Sequence, residues 1–328
     1  MDTLRKKTVQ VSRGFTYTFY VSPALSGKQT IFLLHGWPDH AAMWEDLAVN
    51  YLVPAGYGIV APDCLGYGGS SKPTKPEAYN PVGLTNDFIE ILDEERVNEV
   101  IICGHDWGAG LAQRFHAFHP KRCSGLITLN VPVSPPPEGP VVLDQLAQMM
   151  IKSAGYFTSW YWYLFSDPIT GPALLDQHIE SLFTALHAEP AAWMETLCAQ
   201  DGLKKWLEQD KKGTVQAYAT DTMREDFIQR MSRDGFTAPL CYYRALVTGI
   251  FYEQSKHLPV ERYIIRVPYL FVAGMLDVVC WPQGIKTAEE LGLTPNLTVE
   301  EVDAGHWCML AQPKKIGEIF LKWLRENY

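Results

Sequence analysis

Gly104-His105-Asp106-Trp107-Gly108 sits between the apolar run Val100-Ile101-Ile102-Cys103 and an amphipathic segment from Ala109 to His119. That succession predicts a strand, a tight turn and a helix. It has the form of the nucleophile elbow G-x-S-x-G, with aspartate in the serine position. The exchange changes which reaction can be completed. Serine attacking a saturated carbon would leave an ether that ordinary hydrolysis does not clear. A carboxylate attacking the same carbon leaves an ester, and water can cleave it at the protein's own carbonyl. Asp106 therefore points to alkyl electrophiles, either epoxides or carbon–halogen bonds. Capping of the following helix is the alternative use of an aspartate here.

Such a nucleophile needs a base to activate water. His306 lies in Asp303-Ala304-Gly305-His306-Trp307, after the last strand pattern, and this order of elements brings its loop to the elbow's end of the sheet. Asp277, in Gly274-Met275-Leu276-Asp277 directly after a strand, is the candidate orienting acid. A simple turn aspartate is the competing assignment. The other place for this acid, after the preceding core strand, holds Asn130, which has no carboxylate. Asp303 competes, but its closeness to His306 in the chain reads as a loop position. Nucleophile, acid and histidine thus follow the α/β-hydrolase order, unlike that of chymotrypsin or subtilisin. The backbone N–H of Trp107, next after the nucleophile, and that of Trp37, in His35-Gly36-Trp37-Pro38, are the expected oxyanion donors; Pro38 has none to give. His35 reads as structural. His105 is either structural or holds the hydrolytic water.

The elements that must position these groups read as α/β. Val9 to Val11 and Phe15 to Val21 form two early strands, and Thr30 to Leu34 is a continuous apolar run suited to a strand buried on both faces. Gly58 to Pro62, Val97 to Cys103, Gly125 to Val131, Tyr269 to Gly274 and Leu297 to Val302 continue the pattern, with helices at about 41–51 and 314–327. Strands alternating with helices predict a parallel sheet. The alternation stops at the proline-rich hinge Pro132 to Pro140, and the text is helical and aromatic to about Phe251. The expected organisation is one core, 1–134 and 252–328, interrupted by a helical cap at 135–251.

Net charge is −9, from 37 acidic and 28 basic residues, so no phosphate-binding surface and no nucleic-acid partner is expected. Arg5-Lys6-Lys7 reads as a solvated terminus. The seven cysteines are scattered, without C-x-x-C spacing, which predicts reduced thiols and a cytoplasmic protein. No signal peptide, membrane span or C-terminal address is expected. His116 and His119 share a helix face without a third ligand, and no H-E-x-x-H or Cys/His cluster occurs, so no metal is predicted. The glycines after Asp63 open no helix of a dinucleotide fingerprint, so no cofactor is predicted either.

Ring opening leaves an alkoxide, which an acid must protonate. Tyrosine, with a pKa of about 10, can donate and remain neutral beforehand. The insertion is rich in tyrosine at Tyr156 to Phe165 and at Tyr242-Tyr243. Core packing accounts for most of these rings; two tyrosines from opposite ends of a lid, meeting at one leaving oxygen, is the sharper possibility.

H-G-W-P-D, D-x-x-G-x-G-x-S-x-x-P, G-H-D-W-G, an acid after the penultimate core strand and G-H-W occur in order over nearly the whole length. In these features the chain resembles the epoxide hydrolases of the α/β-hydrolase superfamily. The resemblance implies a mostly parallel eight-stranded sheet flanked by helices, with an inserted helical cap. It also implies conversion of an epoxide to a vicinal diol through an aspartyl ester hydrolysed by a histidine-activated water. Tyr161 fits the family's first proton-donating tyrosine, relative to Phe165-Ser166-Asp167-Pro168, with Tyr163 as a rival; Tyr243 fits the second. Asp39 stands where the family often has a water-holding glutamate. The departures at Ser166-Asp167 and Arg244-Ala245 bear on substrate preference. The aromatic lid suggests a bulky, apolar substrate, and a monomer or homodimer is expected. A haloalkane dehalogenase shares the aspartyl ester and is the nearest alternative. A fluoroacetate dehalogenase would carry arginine in place of Trp107. A catalytically silent ligand-binding homologue would show a broken triad.

Overall fold

The computed structural model describes residues 3–328. Eight strands form one sheet: β1 (Arg5–Gln10), β2 (Thr16–Ser22), β3 (Thr30–Leu34), β4 (Gly58–Pro62), β5 (Val100–His105), β6 (Cys123–Leu129), β7 (Tyr269–Gly274) and β8 (Leu297–Val302). Their spatial order is β1-β2-β4-β3-β5-β6-β7-β8. β2 runs antiparallel to β1 and β4, and every other pairing is parallel. The apolar runs β4, β5 and β7 are buried at every position because helices cover both faces. β1 and β8 are the half-exposed edges and carry the charged residues, which discourage further strand pairing. Arg5-Lys6-Lys7 is therefore not a loose terminus. It belongs to edge strand β1, where Lys7 pairs with Glu95.

Chain order reverses across β3 and β5. After β3 the chain moves outward to β4, and after β5 it moves the other way to β6. Leu34 on β3 lies opposite Gly104 on β5, so the loops leaving these strands diverge from one point. Parallel α/β sheets bind ligands at such a switch, beyond the carboxyl ends of the strands. Helix α1 (Pro81–Glu94) covers one face, capped by the Asn80 side chain accepting from Gly83 N–H at 2.7 Å. Helix α2 (Trp107–Phe118) starts at the elbow.

Between β6 and β7 the chain is helical, from Leu143–Ala154 to Ile250–Ser255, with no strand among the described residues. Residue 251, the expected end of the insertion's helical pattern, falls inside the helix Ile250–Ser255. Two short cap helices matter for the site: α3 (Tyr161–Ser166) and α4 (Cys241–Val247). They pack through Phe165 and Tyr243, whose ring centroids lie 5.0 Å apart nearly edge to face. The sequence patterns at 41–51 and 314–327 are also helical; the first mixes 3-10, α and π turns, and the last is α5 (Pro313–Asn327).

Candidate active site

The elbow is built by close approach. Asp106 has φ 52° and ψ −124°, a conformation sparsely used by residues other than glycine. A Cβ on Gly104 would overlap the Gly108 carbonyl, and one on Gly108 would overlap the Leu34 carbonyl. One on Gly36 would overlap the Asp106 side chain itself. These glycines let β5 turn into α2 hard against the β3 loop. The strained turn lifts Asp106 from the strand end, with its side chain 14% exposed.

One carboxylate oxygen of Asp106, Oδ1, accepts from the Trp37 N–H at 2.8 Å. The other, Oδ2, lies 3.9 Å from His306 Nε2. On the far side of the imidazole, Nδ1 meets Asp277 Oδ2 at 2.7 Å. Asp277 is buried and held by more donors. Its Oδ1 accepts from Val279 N–H at 2.9 Å and Cys280 N–H at 3.0 Å, and its Oδ2 accepts from Asn130 Nδ2 at 2.8 Å. Asp106, His306 and Asp277 are thus brought into line.

The surroundings set three different protonation tendencies. Burial raises the Asp106 pKa to about 6, against the opposing pull of His306 and of the Trp107 and Trp37 N–H groups. Burial also pushes Asp277 upward, but His306 and the donors named above outweigh it and hold its carboxyl far below the ordinary range. For His306 burial disfavours the cation, yet Asp277 outweighs it, so the imidazole pKa is raised.

Tyr161 and Tyr243 reach over this centre from α3 and α4, with ring centroids 6.1 Å apart. Both are buried, and burial, with neighbouring groups that include Asp106, raises their pKa well above 10. They stay protonated donors at neutral pH. Tyr163 does not join them. It is 38% exposed, and its hydroxyl donates to Asp144 Oδ1 at 2.5 Å on the outer surface of the cap. The helical turn of α3 directs Tyr161 inward and Tyr163 outward, which removes Tyr163 as a rival.

Asp39 is buried and its Oδ2 accepts from Trp307 Nε1 at 2.8 Å. Burial raises its pKa while the Trp307 bond lowers it. The tryptophan of G-H-W therefore ties the β3 loop to the histidine loop. His105 is fully buried, and its Nε2 donates to the His306 carbonyl at 2.8 Å. It stands behind the histidine loop as a brace and does not line the cavities. Asn130 does the same from another side: with φ 64°, its Nδ2 also donates to the His306 carbonyl at 2.9 Å. The sequence marks Asn130 only as a missing carboxylate. Its position directly after a core strand, in a residue type that tolerates positive φ, is the signal for this bracing role.

Two cavities meet at Asp106 and Tyr161. The larger, about 260 Å³, extends between α2 and the cap. The smaller, about 20 Å³, is bounded by Asp106, His306, Trp37 and both tyrosines. That is room for one water molecule. Asp106, Cys280 and His306 present potential ligand atoms within 4.8 Å of one another. A cation there would occupy the groups that face the nucleophile, so the same side chains cannot serve covalent chemistry and a resident metal at once.

An aspartate elbow, a histidine–aspartate pair and a helical lid over a parallel sheet define a hydrolytic fold, and comparison places it. Residues 29–313 match the model of the α/β hydrolase fold family, and the chain belongs to that family. Among curated proteins it is 27% identical over 317 residues to epoxide hydrolase A of Mycobacterium tuberculosis, covering 91% of each chain. It is 28% identical over 300 residues to rat bifunctional epoxide hydrolase 2, where the match spans 90% of this chain but 51% of that one. Among solved structures it resembles epoxide hydrolase A from Mycobacterium thermoresistibile, with TM-score 0.81, 25% identity and 99% of both chains covered.

Proposed function

We propose that the protein hydrolyses an epoxide to a vicinal diol in two half-reactions. Asp106 Oδ2 attacks a ring carbon while Tyr161 and Tyr243 hydrogen-bond the ring oxygen, and one tyrosine gives its proton as the C–O bond breaks. The product of this step is a hydroxyalkyl ester on Asp106. His306, oriented by Asp277, then takes a proton from water in the small cavity, and the hydroxide adds to Asp106 Cγ. Negative charge develops on Oδ1, which already lies at the Trp37 N–H, with the Trp107 N–H beside it. Collapse expels the product with the original Oδ2. The leaving alkoxide takes the proton of the added hydroxyl, which returns Asp106 to a carboxylate and frees the diol. The His306 proton passes to the tyrosinate, which restores the tyrosine and the neutral base. Asp39 and His105 support this chemistry by fixing the loops that carry Trp37 and His306.

The observation that carries the reading is the joint placement of Asp106, His306 and two protonated tyrosines around one small cavity. The epoxide hydrolases similar to this chain support the same substrate class. No cofactor enters any step. The core–cap division at about residue 134 and again near residue 252 follows the break between sheet and helices. The seven unpaired cysteines support a reducing, cytoplasmic setting.

A single-turnover reaction in oxygen-18 water with enzyme in excess tests the proposal. The label should enter the Asp106 carboxylate first and the diol only in later cycles. Label appearing directly in the first-cycle diol refutes the aspartyl ester. Halide release from bromoalkanes without epoxide turnover refutes the substrate class.

A further inference from the structure

The larger cavity follows one face of α2. Trp107, Gly110 and Arg114 line it at i, i+3 and i+7, the spacing that puts side chains on one helical stripe. It therefore runs from the nucleophile along the helix to Arg114, a distance of roughly 12 Å at the helical rise. Gly110 stands midway, and a Cβ built there meets nothing within 4 Å, so the passage is open at its centre. The facing wall is apolar, with Trp162, Leu246 and Phe251.

Arg114 ends this passage. It is half-buried, and among the described residues no carboxylate lies within ion-pair distance of it. Its neighbour is the Tyr263 ring, whose centroid lies 5.5 Å from the guanidinium carbon. Burial depresses its pKa, with Tyr263 opposing. Arg13 and Arg122, also partly buried, have acids: Arg13 meets Asp87, and Arg122 meets Asp93 at 2.7 Å, whereas the buried Arg244 donates to the Thr237 carbonyl. A partly desolvated guanidinium without a counter-ion, facing a substrate cavity, is a site for an anion that is absent from the free protein.

We infer that Arg114 is a specificity-determining residue that binds the carboxylate of an acidic epoxide, whose apolar chain lies along Gly110 and whose ring rests at Asp106. The inference rests on an epoxide being the substrate. The roughly 12 Å of helical rise between Asp106 and Arg114 sets the scale of the spacer between ring and carboxylate. A planar guanidinium suits this ligand because it can bind both carboxylate oxygens at once.

The test uses ω-epoxy carboxylic acids with short, matching and long spacers, each paired with its methyl ester, and styrene oxide as a neutral reference. At the matching length the acid should exceed its ester in kcat/KM by roughly tenfold to a hundredfold. The difference should lie in KM. In Arg114→Gln the acid-to-ester ratio should collapse toward unity, and in Arg114→Lys part of it should return. Equal use of acid and ester by the unmodified protein overturns the inference while leaving epoxide hydrolysis intact. So does an acid preference that survives in Arg114→Gln, or one that is indifferent to spacer length. Failure to hydrolyse any acid, ester or styrene oxide overturns the epoxide reading and this inference with it. The comparison of acid with ester needs no variant, so it holds even if a substitution at Arg114 prevents folding.

Discussion

His306 sits between two carboxylates at unequal distances: Nδ1 is 2.7 Å from Asp277 Oδ2, and Nε2 is 3.9 Å from Asp106 Oδ2. The short contact fixes the ring and its tautomer. The longer one leaves the second nitrogen free to face water rather than locking it into an ion pair. The asymmetry separates the jobs of the two aspartates, since a tightly paired Asp106 would be a weaker nucleophile.

Removing the base should divide the reaction at the ester. His306→Gln is expected to alkylate Asp106 and then stall, with turnover lower by roughly 10²–10⁴. Intact mass after mixing with epoxide should show a persistent adduct of substrate mass. Asp106 is ionised above its pKa of about 6 in the native protein, so the alkylation rate should rise with pH. Because His306 lowers that pKa, the midpoint in the variant should move above about 6. An alkylation rate that does not vary from pH 5 to 8 would refute the assignment.

Asp106→Asn should be inactive and more stable. The folded pKa of Asp106 is raised to about 6 from an unfolded value near 4, so the native state binds the extra proton. Holding the carboxylate ionised therefore costs stability, fully above about pH 6, and the cost disappears below the unfolded pKa. The asparagine variant removes it and should gain about 1–3 kcal/mol at pH 8, with little gain at pH 3.5. Denaturant melts at the two pH values measure the difference.

The tyrosines should act before the ester and not after it. Tyr161→Phe and Tyr243→Phe are each expected to slow alkylation by roughly a hundredfold, and the double variant by more. Pre-steady-state mixing should show slower ester formation with unchanged ester hydrolysis. Tyr163→Phe should leave both phases as they are, because its hydroxyl is committed to Asp144 at the cap surface.

Asn130→Ala should damage both fold and rate. It strips a donor from Asp277 and from the His306 carbonyl and leaves alanine at φ 64°. The expected cost is about 1–3 kcal/mol of stability, read by denaturant melting. Asn130→Gly, which accepts the backbone angle, should recover part of the stability but not the activity. Recovery of both would show that Asn130 matters only for its backbone.

Much of this was legible in the chain itself because periodicity and glycine placement are local. β3, β4 and β7 have the bounds their apolar patterns predict, since burial on both faces demands uninterrupted apolar runs. The elbow was visible because only glycine fits at positions 104 and 108. The first strand was harder to read. Its charged residues are those of an exposed edge, which by pattern looks like a solvated end.

By itself the sequence determined which groups the proposed reaction can use: a carboxylate rather than a hydroxyl on the elbow, and a histidine in the last loop. Only the tertiary structure decided which of two nearby tyrosines faces the centre, because orientation on a short cap helix depends on what packs beside it. It also decided that Arg114 makes no ion pair among the described residues and lines the same cavity as Asp106. Local pattern specifies what a residue can do; distances between segments far apart in the chain specify whom it can meet, and those are set by packing.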